Sequence, residues 1–286
     1  MTSLENKIDF AVIVSVKNAN PNGDPLNGNR PRENYDGLGE ISDVCLKRKI
    51  RNRLQDAGQS IFVQSDDRES DGFRSLKERA DACKEFADAA KKKDKDGSGR
   101  DAAEKAACKQ WIDVRSFGQV FAFKGDDASI GIRGPVSIHP AFSVDTVDIS
   151  SIQITKSVNS VTGPKKSSDT MGMKHRVDFG LYVFYGSINC QLAEKTGFSK
   201  EDAELIKEAL RTLFENDCSS ARPEGSMEVC KLIWWEHNCK TGQYSSAKVH
   251  RCLHVTPKTE SPKSIDDYEI TVDSLDGLNA EIIEGM

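Results

Sequence analysis

The stretch KIDFAVIVSVKNANPNGDPLNGNRPR, residues 7–32, decides the fold because it joins a strongly apolar segment to a long turn-rich loop. Residues Ile8 to Val16 form a nearly continuous β-branched run, which is typical of a strand covered on both faces. The loop that follows, Asn18 to Glu40, is rich in Asn, Gly and Pro, which favour turns. We therefore expect a central strand that ends in a long polar loop.

A helix is predicted directly after this loop. Ser42 is placed as its N-cap and Gly58 as the residue just past its end, with Leu46, Ile50 and Leu54 on the buried stripe. The opposite face carries the densest positive patch in the chain, and we expect it to attract a polyanion. Its five basic residues, within seven positions, are Lys47, Arg48, Lys49, Arg51 and Arg53.

The composition is that of a globular chain. It has 286 residues, 37% of them hydrophobic and 30% charged, which fits one large domain or two small ones. The apolar run of the first strand is far shorter than the roughly 20 residues that cross a bilayer, and Glu5 and Asp9 stand where a signal peptide would be basic. We expect a cytoplasmic protein with no membrane partner. Eight cysteines without tight pairs are expected to be reduced thiols.

Charge is unevenly distributed along the chain. Residues 260–286 carry a net charge of −7, which leaves +2 for residues 1–259 of the total of −5. The acidic total therefore does not exclude a polyanion partner, because a local basic face decides nucleic-acid binding.

The remaining patterns alternate helices and strands. Residues 66–110 are polar and alanine-rich at helical spacing, which predicts a helical hairpin inserted as a peripheral lobe. Residues 157–178 lack periodicity and predict an extended mobile projection. Ser199 caps a second helix with a box-like partner, Asp202. Strand patterns recur at 129–138, 147–157 and 179–190, and a final hairpin is predicted over 227–255.

Without the helical insert and the projection, the order is strand, helix, strands, helix, strand. This order is compatible with an α+β fold of ferredoxin-like or RRM type, in which helices cover one face of a sheet.

The best metal candidates are Cys and His residues near the C-terminal end. Strand alternation would place three of them on one face, but the spacing lacks the Cys-x-x-Cys pairs of structural zinc sites. Buried thiols and sheet histidines are the alternative interpretation. The six candidates are Cys230, His237, Cys239, His250, Cys252 and His254. The last three, His250, Cys252 and His254, would share the face. No G-x-S-x-G, P-loop or H-E-x-x-H motif supports a hydrolase.

Two short segments mix apolar and basic side chains, as single-strand binders do. The phenylalanines have helical spacing and are better explained as core, whereas the methionines lie in a polar segment without periodicity and are not expected in a core. The two sets are Phe117, Phe121 and Phe123 beside Arg115, and Met171 and Met173 beside Lys174, His175 and Arg176.

Five separated motifs, in order along the chain, resemble the Csd-type backbone subunit of the type I-C CRISPR Cascade complex, the "Cas seven" family. They are NPNGDPLNGNRPR (residues 20–32), SDVCLKRKIRNRL (42–54), DVRSFGQVFA (113–122), GPVSI (134–138) and ARPEGSM (221–227).

The resemblance implies an RRM-like palm, an inserted helical finger lobe and a β-hairpin thumb. Carried onto this sequence, it gives palm segments at 1–61, 113–149 and 179–259, fingers at 62–112, a thumb projection at 150–178 and an acidic C-terminal segment at 260–286.

The family polymerises along CRISPR RNA, holds the RNA backbone and uses the thumb to kink out nucleotides, so that the other bases can pair with target DNA. Implied partners are CRISPR RNA, target DNA, further copies of the chain, a large subunit and a repeat-processing end-cap subunit; no cofactor is implied. The expected RNA-binding residues are Asn20, Asn22, Gly23, Asp24, Arg30, Arg32, Lys47, Arg48, Arg51, Arg115, Phe117, Lys156, Met171, Met173, Lys174, His175, Arg176 and Arg222.

The resemblance implies no catalysis, and two alternatives stay open beside it. Related type III subunits cleave RNA with an aspartate in the corresponding loop, so a metal-dependent endoribonuclease using Asp24 is the first alternative, although NGDP is a different pattern. A zinc-stabilised interaction module is the second.

Overall fold

The computed structural model describes residues 3–92, 98–123, 129–159, 161–162 and 171–286. Residues 93–97 of the predicted helical hairpin, and residues 160 and 163–170 of the predicted projection, lie outside these ranges. Within the described ranges, none of the helices has the length and apolar character needed to cross a bilayer.

Fourteen strands and eight helices make up the described regular structure. The strands are β1 (Ile8–Ala19), β2 (Gly23–Asp24), β3 (Arg30–Pro31), β4 (Leu38–Ile41), β5 (Gly118–Phe121), β6 (Ile130–Arg133), β7 (Val136–Ile138), β8 (Ala141–Thr146), β9 (Ile149–Thr155), β10 (Met171–Ile188), β11 (Met227–Glu236), β12 (Leu253–Pro257), β13 (Tyr268–Val272) and β14 (Ala280–Glu284). The helices are α1 (Asp43–Asp56), α2 (Leu76–Ala82), α3 (Lys84–Ala90), α4 (Ser98–Gln110), α5 (Ile112–Phe117), α6 (Cys190–Thr196), α7 (Lys200–Arg211) and α8 (Ser246–His250).

The main sheet is antiparallel and is built around β1. Its strand order is β14-β11-β1-β10-β8-β4, and β7 and β9 pair with other parts of β10. Ile8 lies opposite Ile188 on one side and Glu236 on the other. The architecture is thus mixed α/β with a large antiparallel sheet.

Both faces of this sheet are covered, which explains the continuous apolar run in β1. Val12 and Val14 pack with α1, α6 and α7 in one core, whereas Ala11 and Ile13 pack with Trp235 and the C-terminal elements in another. The predicted buried strand is therefore confirmed.

Helix α1 confirms the predicted caps and stripe. The Ser42 side chain accepts a hydrogen bond from the Cys45 amide, and Leu46, Ile50 and Leu54 are buried. Gly58 has a φ of 76°, a left-handed value that glycine adopts without strain. The capping box of α7, between Ser199 and Asp202, is confirmed as well.

A third core lies among α2, α3, α4, β5 and β6, which we call the helical lobe. It is aromatic: the Phe62 ring lies 4.7 Å from Trp111 and 4.9 Å from Phe121 between centroids, and Phe86 lies 4.6 Å from Phe121. Helices are confirmed within residues 66–110, but they are three rather than the two of a hairpin, because the helix is interrupted at Cys83 between α2 and α3. The core interpretation of Phe121 is confirmed. Helical spacing of the phenylalanines is wrong, however, because α5 ends at Phe117.

Three strand predictions are corrected. Residues 171–178 begin β10 and residues 171–177 pair with β9, so this part of the predicted projection is a regular strand rather than an irregular segment. The hairpin over 227–255 is wrong, because β11 pairs with β1 and β14, whereas β12 pairs with β13 in a separate sheet. The strand at 129–138 is two strands, β6 and β7, that belong to different sheets.

Candidate nucleic-acid interface

Residues Asn20–Arg32 form a small hairpin, in which β2 and β3 flank a single 3-10 turn. Asp24 caps that turn, because its carboxylate accepts a hydrogen bond from the Leu26 amide at 3.2 Å. A Cβ at Gly23 would lie 2.0 Å from Oδ1 of Asn29, so the close approach of these two residues requires glycine. The hairpin is therefore held by its own polar groups.

Two asparagines attach the hairpin to its surroundings. Asn20 donates from Nδ2 to the Asn29 carbonyl at 2.7 Å, and its amide donates to the Ala221 carbonyl at 2.9 Å. The Asn22 Oδ1 accepts from both the amide and the hydroxyl of Ser42, at 2.9 and 2.8 Å. These contacts bring the hairpin, the start of α1 and the late loop, residues 217–226, onto one surface.

The arginines of the hairpin lie beside the arm, which we define as β9 with residues 171–177 of β10. Arg30 donates from Nη1 to the Ser151 hydroxyl at 3.1 Å, and that hydroxyl lies 2.8 Å from Nδ1 of His175. A guanidinium can only donate hydrogen bonds, so the Ser151 hydroxyl accepts from Arg30 and donates its own proton to Nδ1 of His175. Arg32 lies 3.4 Å from Asp24, while its buried Nε makes no hydrogen bond to any described residue.

The arm has two chemically different faces, because residues directly opposite each other in an antiparallel pair share a face. One face carries Met171, Met173 and His175 with the side chains of residues 151, 153 and 155. The other carries Ile152 and Ile154 with Lys174 and Arg176.

The methionine side chains are 60% and 54% exposed, and Gln153 donates to the Met171 sulfur at 3.2 Å. Arg176 lies 3.8 Å from Asp178, and Lys156 follows the end of β9. The cations of the arm thus flank exposed apolar side chains.

The late loop adds one cation, Arg222, beside the hairpin, and its Asp217 also binds Lys49 of α1. Arg222 donates to Asp217 at 3.0 Å, and Lys49 forms an ion pair with the same carboxylate. Burial raises the pKa of the neighbouring Cys45 thiol, although Lys49 and Arg222 oppose the rise. Two cations that share one carboxylate leave positive charge at the surface that carries the Asn20 contact.

The basic face of α1 was predicted to be a positive patch that attracts a polyanion. In the structure its cations are instead paired with groups of the protein itself. Arg48 donates to the Val63 carbonyl at 2.6 Å, and burial lowers its pKa. Arg51 donates to Asp113 at 3.0 Å, and Lys49 is buried. Lys47 pairs with Asp43 on its own helix at 2.9 Å. The reason is that carboxylates and carbonyls distant in sequence pack against this face.

Arg115 and Phe117 are likewise committed to internal contacts. Arg115 binds Asp202 through two hydrogen bonds of 2.9 and 2.7 Å, and so ties α5 to the start of α7. Phe117 packs beneath Arg51, whose guanidinium carbon lies 5.1 Å from the ring centroid. The structure therefore brings the hairpin, arm and late-loop candidates together, whereas Arg48, Arg51, Arg115 and Phe117 form a separate internal group.

The Cys and His candidates do not share a strand face as predicted. Of the three residues predicted to share a face, His250 ends α8, Cys252 precedes β12, and only His254 lies in a strand. Across the described part of the chain, no three Cys, His, Asp or Glu side chains are arranged to hold a metal ion.

Sequence reasoning missed three residues of the hairpin region. Ser151 links Arg30 to His175, and no pattern marks it. Leu26 and Tyr35 are fully exposed at the tips of two consecutive turns. An apolar side chain inside a turn-rich polar loop is the signal that could have found Leu26 and Tyr35.

Comparison with known proteins places the chain among related sequences. The family model described as CRISPR-associated protein Cas7 matches residues 6–273. CRISPR-associated protein Cas7 of Haloferax volcanii is 26% identical over 307 residues, which cover 96% of this chain and 83% of the relative.

Two solved structures are also similar. A chain of a CRISPR RNA-guided surveillance complex in a pre-nicking state has 16% identity and a TM-score of 0.49, covering 86% of this chain and 84% of the other. A chain of a second CRISPR RNA-guided surveillance complex has 16% identity and a TM-score of 0.43, covering 80% and 68%.

Proposed function

The chain belongs to the family of CRISPR-associated protein Cas7, and from that membership we propose that it is a non-catalytic scaffold that polymerises along CRISPR RNA. It forms the backbone of a Cascade surveillance complex, of type I-C by its motifs, and presents the guide for pairing with target DNA. Its partners are further copies of itself, the large subunit and the repeat-processing end-cap subunit.

One observation carries this proposal: three of the motifs that resemble the family meet on a single surface. The hairpin contacts Ser42 at the start of α1 through Asn22, and the late loop through Asn20. Arg30, Arg32 and Arg222 lie on this surface. The arm adds Lys174 and Arg176 on one of its faces and the exposed methionines on the other. A guide-binding protein needs such a surface.

The chemistry suits backbone binding without sequence readout. Guanidinium groups match phosphate oxygens in geometry and charge, and neutralised phosphates release counterions, which supplies affinity for any sequence. Met171 and Met173 are exposed and are therefore positioned to wedge against a base. Stacking or wedging side chains contribute about 1 to 3 kcal/mol of binding free energy per base. Specificity is then left to pairing between guide and target.

In finer terms, we assign the main sheet with α1, α6 and α7 to an RRM-like palm, helices α2, α3 and α4 of the helical lobe to the fingers and the arm to the thumb. The proposed boundaries are those of the sequence: fingers 62–112 and thumb 150–178, with the palm around them. The helical lobe has its own aromatic core, which supports treating it as a separate unit.

Asp24 supports the scaffold more than an endoribonuclease. Its carboxylate caps the 3-10 turn and faces Arg32 at 3.4 Å, so it has a structural reason to be present. A general base for RNA cleavage would instead be placed toward a reacting hydroxyl.

The test uses the purified chain with guide RNA. We expect sedimentation to show several copies on one RNA, and Arg30→Gln with Arg32→Gln to weaken assembly. Arg100→Gln, which removes an exposed α4 cation paired at 3.2 Å with Glu104, is the matched control and leaves assembly unchanged. Equal assembly by both variants would contradict the proposed surface.

Cleavage is tested in the same assembly with Mg²⁺ and complementary RNA. We expect no product from the parent chain or from Asp24→Asn. Product from the parent that disappears in Asp24→Asn would replace the scaffold with the endoribonuclease.

A further inference from the structure

A second cationic site lies away from the hairpin and the arm, in a cleft between α4 and α6. The cleft measures about 370 Å³, and its lining includes Lys105, Lys109, Arg115, Lys195 and Thr196. We name it the α4–α6 cleft. Four cationic side chains line it against one carboxylate, that of Glu194.

Most of these charges are compensated, but two are not. Arg115 is neutralised by Asp202, Lys109 lies 3.2 Å from Glu85, and Glu194 is bound by Lys240. Lys105 and Lys195 make no hydrogen bond or ion pair with any residue that the structure describes. The cleft therefore keeps an excess of two positive charges.

The fold does not require this arrangement. Lys105 and Lys109 are four residues apart on α4, and like charges at that spacing destabilise a helix. Lys195 lies in the last turn of α6, where a cation is favourable, but that does not explain why the α4 lysines face the same cleft. Three lysines beside Arg115 fit an anionic ligand.

A polar group without a partner points the same way. Thr196 is 7% exposed and lines the cleft, and its hydroxyl oxygen makes no hydrogen bond with the described residues. A buried hydroxyl left unpaired destabilises the fold, so such groups usually have a ligand or water as partner.

We propose that the α4–α6 cleft binds a phosphate group, held by the ammonium groups of Lys105 and Lys195 and by the Thr196 hydroxyl. The phosphate can come from a nucleic-acid strand that crosses between the helical lobe and α6, or from a free anion. The site itself does not depend on the proposed function; only the nucleic-acid source does.

The experiment follows the backbone amides of Cys108 and Gly197 by NMR in the full chain, with inorganic pyrophosphate or a 20-nucleotide single-stranded RNA as probe. We expect saturable shifts of both amides. Lys105→Gln with Lys195→Gln abolishes them, and Thr196→Val, which keeps the side-chain shape, weakens pyrophosphate binding several-fold. Lys200→Gln removes an exposed lysine that does not line the cleft, and it changes nothing.

The two sources are separated by the RNA arm. If RNA is the ligand, the double lysine variant lowers the salt slope of RNA binding by about 0.7 for each lost phosphate contact. Shifts with pyrophosphate alone assign the cleft to a free anion. Absence of shifts with both probes overturns the site.

Failure of the proposed function is recognised independently. A parent chain that binds no RNA removes the scaffold, whereas pyrophosphate binding still decides the cleft. The converse outcome is RNA binding that depends on Arg30, with no shift of the Cys108 and Gly197 amides by either RNA or pyrophosphate. That outcome overturns the phosphate site in the cleft and leaves the proposed scaffold function intact.

Discussion

Two regions of the molecule are equally rich in arginine: the hairpin with the arm beside it, and the basic face of α1. They differ in the groups that their arginine side chains contact. In the first, Arg30 and Arg32 pair only with partly exposed carboxylates, those of Glu33 at 3.6 Å and Asp24 at 3.4 Å, and the buried Nε of Arg32 makes no hydrogen bond in the described structure. In the second, Arg48 and Arg51 bind a carbonyl and a buried carboxylate. Charge density alone therefore does not identify a binding surface; unmatched donors do.

The largest expected effect tests the internal group. Asp113 is 1% exposed and accepts from the amides of Phe62 and Val63 and from Arg51. Asp113→Ala leaves a buried guanidinium and two amides unpaired, so we expect a loss of about 3 to 5 kcal/mol in the free energy of unfolding. Urea denaturation measures it.

The comparison region supplies the control for that measurement. Arg30→Ala removes a partly exposed cation and should change the free energy of unfolding by less than about 0.5 kcal/mol. If both variants are equally stable, Asp113 is not a structural anchor and the contrast between the two regions fails.

The second prediction concerns RNA binding instead of stability, and here the larger effect is expected in the hairpin. For single strands, Arg32→Gln should lower the salt slope of the binding constant by about 0.7, because one phosphate contact is lost. Arg48→Gln should leave the slope unchanged once binding is corrected for the folded fraction. A lower slope in Arg48→Gln would restore the face of α1 as a binding surface.

The third prediction uses another buried charged cluster, at the start of β1. Asp9 accepts from Lys7 at 2.9 Å and lies 2.8 Å from Nε2 of His237, while His250 lies 3.7 Å from its other oxygen. Burial lowers the pKa of His250 from 6.5, with smaller contributions from His139 and Lys7, and Asp9 opposes the change.

Because the folded chain holds His250 at a lowered pKa, the unfolded chain binds more protons below about pH 6.5. Stability should therefore fall as the pH drops through 6.5 toward that lowered value. Urea denaturation at pH 7.5, 6.5 and 5.5 measures the slope, which His250→Gln should flatten. His254→Gln, which removes an exposed histidine paired with Asp273 at 2.8 Å, should preserve the slope.

The smallest effect on stability is expected at the arm. Replacing Met171 and Met173 by Gly removes two exposed side chains and should loosen assembly on guide RNA while single-copy RNA binding persists, because the hairpin arginines are untouched. Sedimentation with long and short RNA separates the two effects. Equally tight assembly would assign the methionines to ordinary surface.

Local signals made part of the fold predictable. The β-branched run of β1 and the caps of α1 and α7 lie within a few residues of the elements they define. The strand at 171–177 could not be predicted from periodicity, because most of the side chains on both faces of the arm are exposed or half-buried and show no apolar alternation. The pairing of β11 was missed because its partners, β1 and β14, are distant in sequence.

The candidate site was predictable to the same degree. Hairpin residues follow from a contiguous motif, whereas the internal roles of Arg51 and Arg115 depend on Asp113 and Asp202, which approach only in the folded chain. Ion pairs between distant segments leave no mark in the sequence, and a basic stretch that makes them looks the same as one that binds RNA.

The continuity of β10 has a mechanical consequence. A single 18-residue strand runs from the arm into the middle of the main sheet, so the arm is a cantilever clamped between β1 and β8. At about 3.3 Å per residue, the seven residues paired with β9 extend it by roughly 23 Å. A force applied at Met171 is thus transmitted through β10 as torque on the main sheet, so the arm and the main sheet must rotate together.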